Sequence, residues 1–432
     1  MLIRPAKSVK GEISLPGDKS ISHRAAILSA MADGVTRIDN FATSVDCAST
    51  LRCLESLGVN VRREGLTVWI EGVGKDGFHA PNEPLDCGNS GTTMRLLSGV
   101  LAGQRFDSVL TGDDSLAARP MGRVIDPLMI MGGGVSSLDG RAPLTIHGRN
   151  PLRSIGYTLP VASAQIKSCI LLAGLNSDGE TTVVEPVATR DHTERMLRWF
   201  GVDVRETMLE NGKKIAVAGD SRLSSADIVV PSDISSAAFF LTAALCLENS
   251  LLQIRNVGLN SSRAAIIETL RDLGAGIETA NPREQNNEPV GDICVRSGIK
   301  SSSQIVLRGE VIANMVDELP ILAVLGTQID GGLEVRDAGE LRVKETDRIA
   351  AIVENLRRLG AEVDEFDDGF RVGRSRLKGA RVDSFGDHRI AMAFAVAGLL
   401  AVEGETEIVG SECVDVSFPG FFEVLEDVVV YE

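Results

Sequence analysis

The sequence predicts a mixed α/β protein of two similar domains, each made of three βαβαββ-type repeats. Three observations carry that prediction. Helical runs that stop at a glycine and pass into a strand recur about every 70–85 residues. A second, more apolar helical run precedes each of them at similar spacing. The length of 432 residues, with 44% hydrophobic content, allows more than one domain with a large core.

The glycine-stopped runs are "TLRCLESLGVNVRRE", "PLMIMGGGVSSLDG", "MLRWFGVDVRE", "TLRDLGAGIETA" and "NLRRLGAEVDEF". Their stops are Gly58, Gly132, Gly201, Gly274 and Gly360, residues that can take the positive φ of a helix C-terminus. "FFEVLEDVVVYE", at the chain end, reads as a sixth copy without the glycine. The apolar runs are "KSISHRAAILSAM", "SGTTMRLLSGVLA", "SAQIKSCILLAGL", "SSAAFFLTAALC", "NMVDELPILAVLG" and "DHRIAMAFAVAGLL". Most start on small or charged polar residues and turn apolar afterwards. Such helices bury their bodies and leave their N-termini, with unpaired N–H groups and a positive dipole end, to a polar place that favours anions. Alternating segments such as "LTVWIEG", "APLTIHG", "KKIAVAG", "GDICVRS" and "FRVG" read as strands. Three repeats plus three make two domains, and "IVVPSDISS" is a candidate crossing between them.

Composition narrows the functions. Aromatics are 4% and the formal net charge is −16, which argues against a nucleic-acid binder built on stacking or phosphate attraction. A local basic pocket for a small anion remains compatible with that charge. Seven scattered cysteines without a CxxC give neither a disulfide framework nor a zinc site. No apolar run has the form of a signal peptide or the length of a membrane span, so a reducing cytoplasm is expected.

The polar helix starts hold the chemistry. In "LPGDKSISHR", Asp18 can cap, while Lys19 and His23, and Ser20 and Arg24, share helix faces at i,i+4. Cations at a helix N-terminus oppose the dipole, a local inconsistency expected of an anion site. "CGNSGTTMR" lets a ligand approach the backbone at Gly91, and "SLAARPMGR" holds Arg119 extended before Pro120. "VASAQIKS" brings Ser163, Gln165 and Lys167 to a helix start, and "ATRDHTERM" brings Arg190, His192 and Thr193. Each also suits an ordinary cap or a solvated edge. "NMVDELPIL" sets Asp317 and Glu318 before an apolar run, where acids are costly unless solvated or functional. "LRVKETDRIA" alternates Lys344, Glu345, Asp347 and Arg348, and "FGDHRIAMAFAV" puts His388 and Arg389 at the mouth of the most apolar helix. A pocket of helix N-termini, Lys and Arg suits a polyanion, and carboxylates within it suit acid–base work.

In that order and spacing, "LPGDKSISHR", "GNSGTTMR", "ARPM", "VASAQIKS", "TRDHTE", "VDELP", "RVKETDR" and "GDHRIAMA" resemble the 5-enolpyruvylshikimate-3-phosphate synthase family over essentially the whole chain. The resemblance implies two domains of the inside-out α/β type, with helix N-termini facing an interdomain cleft that closes on substrate. It implies one domain of residues 1–18 plus 232–432, an inserted domain of 19–231, and hinges near 15–19 and 228–236. The implied reaction joins phosphoenolpyruvate to the 5-hydroxyl of shikimate 3-phosphate and releases phosphate, with no cofactor or metal.

Carried over residue by residue, Lys19, Ser20, Arg24, Ser163, Gln165, Arg190, Asp317 and Lys344 are implied shikimate 3-phosphate ligands. Lys19, Gly91, Arg119, Gln165, Arg348 and Arg389 are implied phosphoenolpyruvate ligands. Asp317 is the implied base for the attacking hydroxyl, Glu345 the implied acid at the methylene carbon, and Lys19 completes the catalytic set. Partners would be those two small molecules, with no nucleic acid or membrane, acting on a monomer in the cytoplasm.

Three positions depart from the family pattern: Ala164 replaces a second serine, Val416 replaces a lysine, and Leu96 replaces a common proline. The nearest rival is a UDP-N-acetylglucosamine enolpyruvyl transferase, which pairs its first lysine with asparagine and carries a loop cysteine. Here Lys19 precedes Ser20, and "GDDSLAARPMG" has no cysteine. The same fold would also suit a catalytically inactive binding protein, against which the intact Lys19, Asp317 and Glu345 speak. An RNA-modifying relative of the fold is disfavoured by the charge of −16 and the few aromatics.

Overall fold

The computed structural model describes residues 1–300 and 303–431. The chain divides into two compact units. A discontinuous unit takes Met1–Pro16, Pro231–Glu284 and Pro289–Glu432, and an inserted unit takes Gly17–Val230 with the short segment Gln285–Glu288.

Three sheets make up the inserted unit, and they share one topology. In one, Leu85–Asp86 runs parallel to Asp107–Thr111, which pairs antiparallel with Arg141–His147, which pairs in turn with Gly134–Leu138. The Gly91–Ala102 helix makes the parallel crossover, and the Gly122–Ile130 helix leads into the hairpin. That is a βαβαββ unit. It repeats with strands Gly156–Thr158, Glu180–Glu185, Lys213–Ala218 and Arg205–Met208 and helices Ala164–Gly174 and His192–Trp199. The third sheet takes its first strand, Ile228–Val229, from the far end of the unit and lays it parallel to Asp33–Asp39. Helix Lys19–Met31 precedes that strand, and helix Val45–Ser56 follows it.

Among its described residues the discontinuous unit also has three sheets. Ile305–Leu307, Leu333–Val335, Gly369–Val372 and Val363–Phe366 repeat the pattern, with helices Leu319–Gly326 and Arg348–Arg358. The other two sheets contain the parallel pairs Ser8–Ser14 with Leu251–Gly258 and Arg381–Asp383 with Thr406–Val409. The first of these pairs is crossed by helix Ile234–Cys246, the second by His388–Leu399. Both helices are buried almost all round, which fits their uniformly apolar bodies. Phe240 and Phe421 meet edge to face, 5.6 Å between ring centroids, and seat the last helix, Phe421–Val428, on that core.

All five stop glycines have φ between +75° and +89°, so the repeat signal in the sequence is a backbone signal. One expected element differs. "NMVDELPILAVLG" is broken into a short helix, Glu310–Met315, and a second that begins at Leu319. Pro320 is tolerated in the first turn of a helix but not in an interior, so the chain restarts there and leaves Asp317 and Glu318 at the new mouth.

Gly360 has φ +83° and open space where a Cβ would go, so only backbone strain opposes a side chain. Gly360→Ala should lower stability by about 1–2 kcal/mol, read as a shifted urea midpoint at unchanged slope. An unshifted midpoint would mean the turn relaxes out of the left-handed region.

Candidate active site

In the inserted unit, Asp18 caps the first helix by accepting from the Ile21 N–H at 2.9 Å. Lys19 then starts the helix and donates to Asp46 Oδ2 at 2.9 Å. One turn on, Arg24 is 4% exposed. Its Nε donates to Thr193 Oγ1 (2.7 Å), Nη2 to Ser168 Oγ (2.9 Å) and Nη1 to the Ser20 carbonyl (2.9 Å). Burial pushes the guanidinium down to about 10, Glu194 acts to hold it up, and the neighbouring charge of Arg190 lowers it further. Arg24 therefore stays cationic at neutral pH, close to a second cation. The structure so brings the "PGDKSISHR", "VASAQIKS" and "ATRDHTERM" stretches together.

Gly91 opens the Gly91–Ala102 helix behind the cap Ser90, which accepts from the Thr93 N–H. A Cβ at Gly91 would stand 2.7 Å from Arg95 Nη1. Arg95 donates to Gln165 Oε1 at 2.7 Å, and Gln165 Nε2 donates to Thr92 Oγ1 at 2.9 Å, so two helix starts are tied to one another. Ser163 caps the Ala164–Gly174 helix. Arg119, extended as expected (φ −79°, ψ 141°), donates to Asn89 Oδ1 at 2.7 Å and to Ser115 Oγ at 3.1 Å.

Two expectations for this unit change. Lys167, expected as a cation at a helix start suited to phosphate, is fully buried between Glu185 (2.9 Å) and Glu194 (2.6 Å). It serves the core instead, because its place on the Ala164–Gly174 helix turns it inward. His192 likewise turns to Glu288, 2.7 Å away.

In the discontinuous unit the polar groups converge on Arg348, the first residue of its helix and 1% exposed. Nε donates to Asp387 Oδ2 and Nη2 to Glu345 Oε2, both at 2.7 Å, while Nη1 lies 3.5 Å from Asp317 Oδ1. Burial opposes the charge, but Asp387, Glu345 and Asp317 outweigh it and raise the guanidinium above its ordinary value. Asp387 also caps the His388–Leu399 helix, accepting from the Arg389 N–H at 2.8 Å. Arg389 Nη1 donates to Ser235 Oγ at 2.6 Å and to the Asp317 carbonyl at 3.0 Å. Lys344 lies extended just ahead of Glu345. Asp317 and Glu345 keep 17% and 20% of their side chains exposed, so both remain reachable. Val416, half-buried and apolar, supplies no charge at the position where the family has lysine.

Sequence reasoning missed Arg95, Arg263 and Asp387. Arg95 had a signal, one turn past Gly91 on the same face. Asp387 had one too, as a cap residue before "HRIAMA". Arg263 had none, since its partners Asp233, Asp317 and Glu318 are distant in the chain.

His23 is fully buried, its Nδ1 2.7 Å from Thr50 Oγ1. Burial, reinforced by the charges of Lys19 and Arg24, pushes it well below its usual range, so it is neutral and structural. The thiols follow the same physics: burial pushes Cys47 and Cys169 up to about 12.

The model of the family "EPSP synthase (3-phosphoshikimate 1-carboxyvinyltransferase)" matches residues 3–425. The chain is 50% identical over 426 residues to the 3-phosphoshikimate 1-carboxyvinyltransferase of Solibacter usitatus, covering 98% of each chain. It is 51% identical over 434 residues to the enzyme of that name from Salinibacter ruber, covering 99% of each. Among solved structures, an EPSP synthase from Acinetobacter baumannii superposes with a TM-score of 0.87 at 40% identity, over 100% of this chain and 98% of that one.

The neutral His23 makes a pH prediction. The unfolded chain binds a proton near pH 6.5 that the folded chain refuses, so stability falls as pH drops below that value. Between pH 6.5 and 5 the wild type should lose up to about 1.4 kcal/mol per pH unit more than His23→Gln in urea unfolding. Equal slopes would show that His23 is protonated in the fold.

Proposed function

The chain belongs to the EPSP synthase family, and from that premise we propose how its residues transfer the enolpyruvyl group of phosphoenolpyruvate to the 5-hydroxyl of shikimate 3-phosphate. The observation that carries the reading is that buried Arg348 contacts both Asp317 and Glu345, the two carboxylates the chemistry needs.

Addition moves one proton off oxygen and one onto carbon. Asp317 takes the proton of the 5-hydroxyl as its oxygen attacks the enol carbon, and Glu345 delivers a proton to the methylene carbon. Elimination reverses the second transfer: Glu345 removes a proton from the new methyl group as phosphate departs, restoring the double bond, and the hydroxyl proton held by Asp317 leaves with the phosphate, so both carboxylates return to their starting states. Atoms balance between two substrates and two carboxylates, so the reading calls on no metal or cofactor.

Both substrates are anions, and bringing them together is opposed by Coulomb repulsion unless cations screen it. Lys19, Ser20, Arg24, Ser163, Gln165, Arg190 and Lys344 are assigned to shikimate 3-phosphate, with Asp317 at its hydroxyl. Lys19, Gly91, Arg119, Gln165, Arg348 and Arg389 are assigned to phosphoenolpyruvate. Arginines suit this work because their planar fork meets carboxylate and phosphate oxygens in pairs. With Ala164 in place of a second serine, one phosphate contact is either lost or taken over by Arg190.

Family membership sets aside the UDP-N-acetylglucosamine reading. We assign the protein to the cytoplasm as a monomer without nucleic-acid partners. Among the described residues no helix is long and apolar enough to cross a membrane.

The purified protein should release phosphate from phosphoenolpyruvate only when shikimate 3-phosphate is present. No turnover with that pair, alongside turnover with UDP-N-acetylglucosamine, would overturn the reading. Asp317→Asn and Glu345→Gln should each lower kcat by about 10²–10⁴-fold with substrate affinities within a few-fold, measured by steady-state kinetics and calorimetric binding. Wild-type kcat in either variant would remove that residue from proton transfer.

A further inference from the structure

We propose that Arg263 and Glu318 act as a pair of positioning residues behind Asp317, the arginine anchoring its carboxylate and the glutamate offsetting the positive charge around it. The proposal rests on Asp317 being the base that takes the hydroxyl proton.

Arg263 stands in the loop ahead of the Ala265–Asp272 helix and is 3% exposed. Its Nη1 lies 3.4 Å from Asp317 Oδ2 and 3.2 Å from Glu318 Oε1, and its Nη2 lies 3.6 Å from Asp233 Oδ1. Two more guanidiniums face Asp317 from other elements. Arg348, from the start of its helix, lies 3.5 Å from Oδ1, and Arg389, from the His388–Leu399 helix, 3.8 Å from the same oxygen. Arg348 and Arg389 are assigned to an anionic substrate, and a bound anion would draw their charge away from Asp317. Arg263 carries no such assignment, and holds the opposite oxygen of the carboxylate. It is therefore suited to keep Asp317 in place while Oδ1 faces the reacting hydroxyl.

Three cations around one carboxylate would leave it a poor proton acceptor. Glu318 answers that. It is 1% exposed, bonded to the Ser235 hydroxyl, 3.2 Å from Arg263 and 3.9 Å from Arg389. Asp233 faces Arg263 from the cap of the Ile234–Cys246 helix, while Glu345 and Asp387 face Arg348. Among these carboxylates Glu318 is next to Asp317 in the chain and shares both Arg263 and Arg389 with it.

A purely structural pair and a charge-setting pair differ in the pH profile. Removing the Arg263 charge takes a cation from Asp317, so the acid limb of kcat/KM should move up by about one pH unit in Arg263→Gln. Removing the Glu318 charge takes an anion away, so the limb should move down by a similar amount in the isosteric Glu318→Gln. Arg263→Lys, which keeps the charge, should hold the limb at the wild-type position. Limbs that stay put, or that move the same way in both glutamine variants, overturn the proposal. If Arg263→Gln does not fold, Glu318→Gln decides the matter alone by its downward shift. Wild-type turnover with the two substrates tests the reaction, and Asp317→Asn tests the base, so a failure of either is told apart from a failure of this pair.

Discussion

A guanidinium buried to 1% exposure must have anions beside it, and the discontinuous unit is arranged around that requirement at Arg348. Its partners come from three stretches far apart in the chain: Asp317 before one helix, Glu345 just ahead of Arg348 itself, and Asp387 at the cap of another helix. Asp387 has two tasks, since it also accepts from the first N–H groups of the His388–Leu399 helix. Fixing Arg348 therefore fixes where three helix starts point. Two of the carboxylates that make the buried charge tolerable, Asp317 and Glu345, are the ones to which the proposed reading gives the proton transfers.

The inserted unit solves a related problem differently. Arg24, Arg95 and Arg119 donate to hydroxyl, amide and carbonyl oxygens. Neutral acceptors satisfy these N–H groups without cancelling the charge. Lys19 and Lys167 do meet carboxylates: Lys19 pairs with Asp46 and keeps 20% of its side chain exposed, whereas Lys167 is sealed in the core between Glu185 and Glu194. The −16 net charge and a site for anions coexist because screening of this kind is local.

How much of this could be read from the sequence follows from the range of each interaction. The stop glycines, the cap Asp18, the helix start at Ser163 and the apolar helix bodies are set by residues within one or two turns, and all were legible. The break before Leu319 was written in Pro320 but was hidden by the apolar run around it. Lys167 looked like a ligand because its direction depends on helix packing, and Arg263 was invisible because its carboxylates lie 30 to 55 residues away. Asp317 and Glu345 could be picked out as acids in unusual places, but only the fold shows them sharing an arginine.

That sharing has a consequence for the order of events. In the structure Arg348 Nη2 donates to Glu345 Oε2 at 2.7 Å. A cation beside a carboxyl favours its ionised form, whereas the proposed reading has Glu345 donate a proton first. On that reading, an anionic substrate that drew Arg348 toward itself would weaken the pairing and favour the protonated form that Glu345 needs in order to donate.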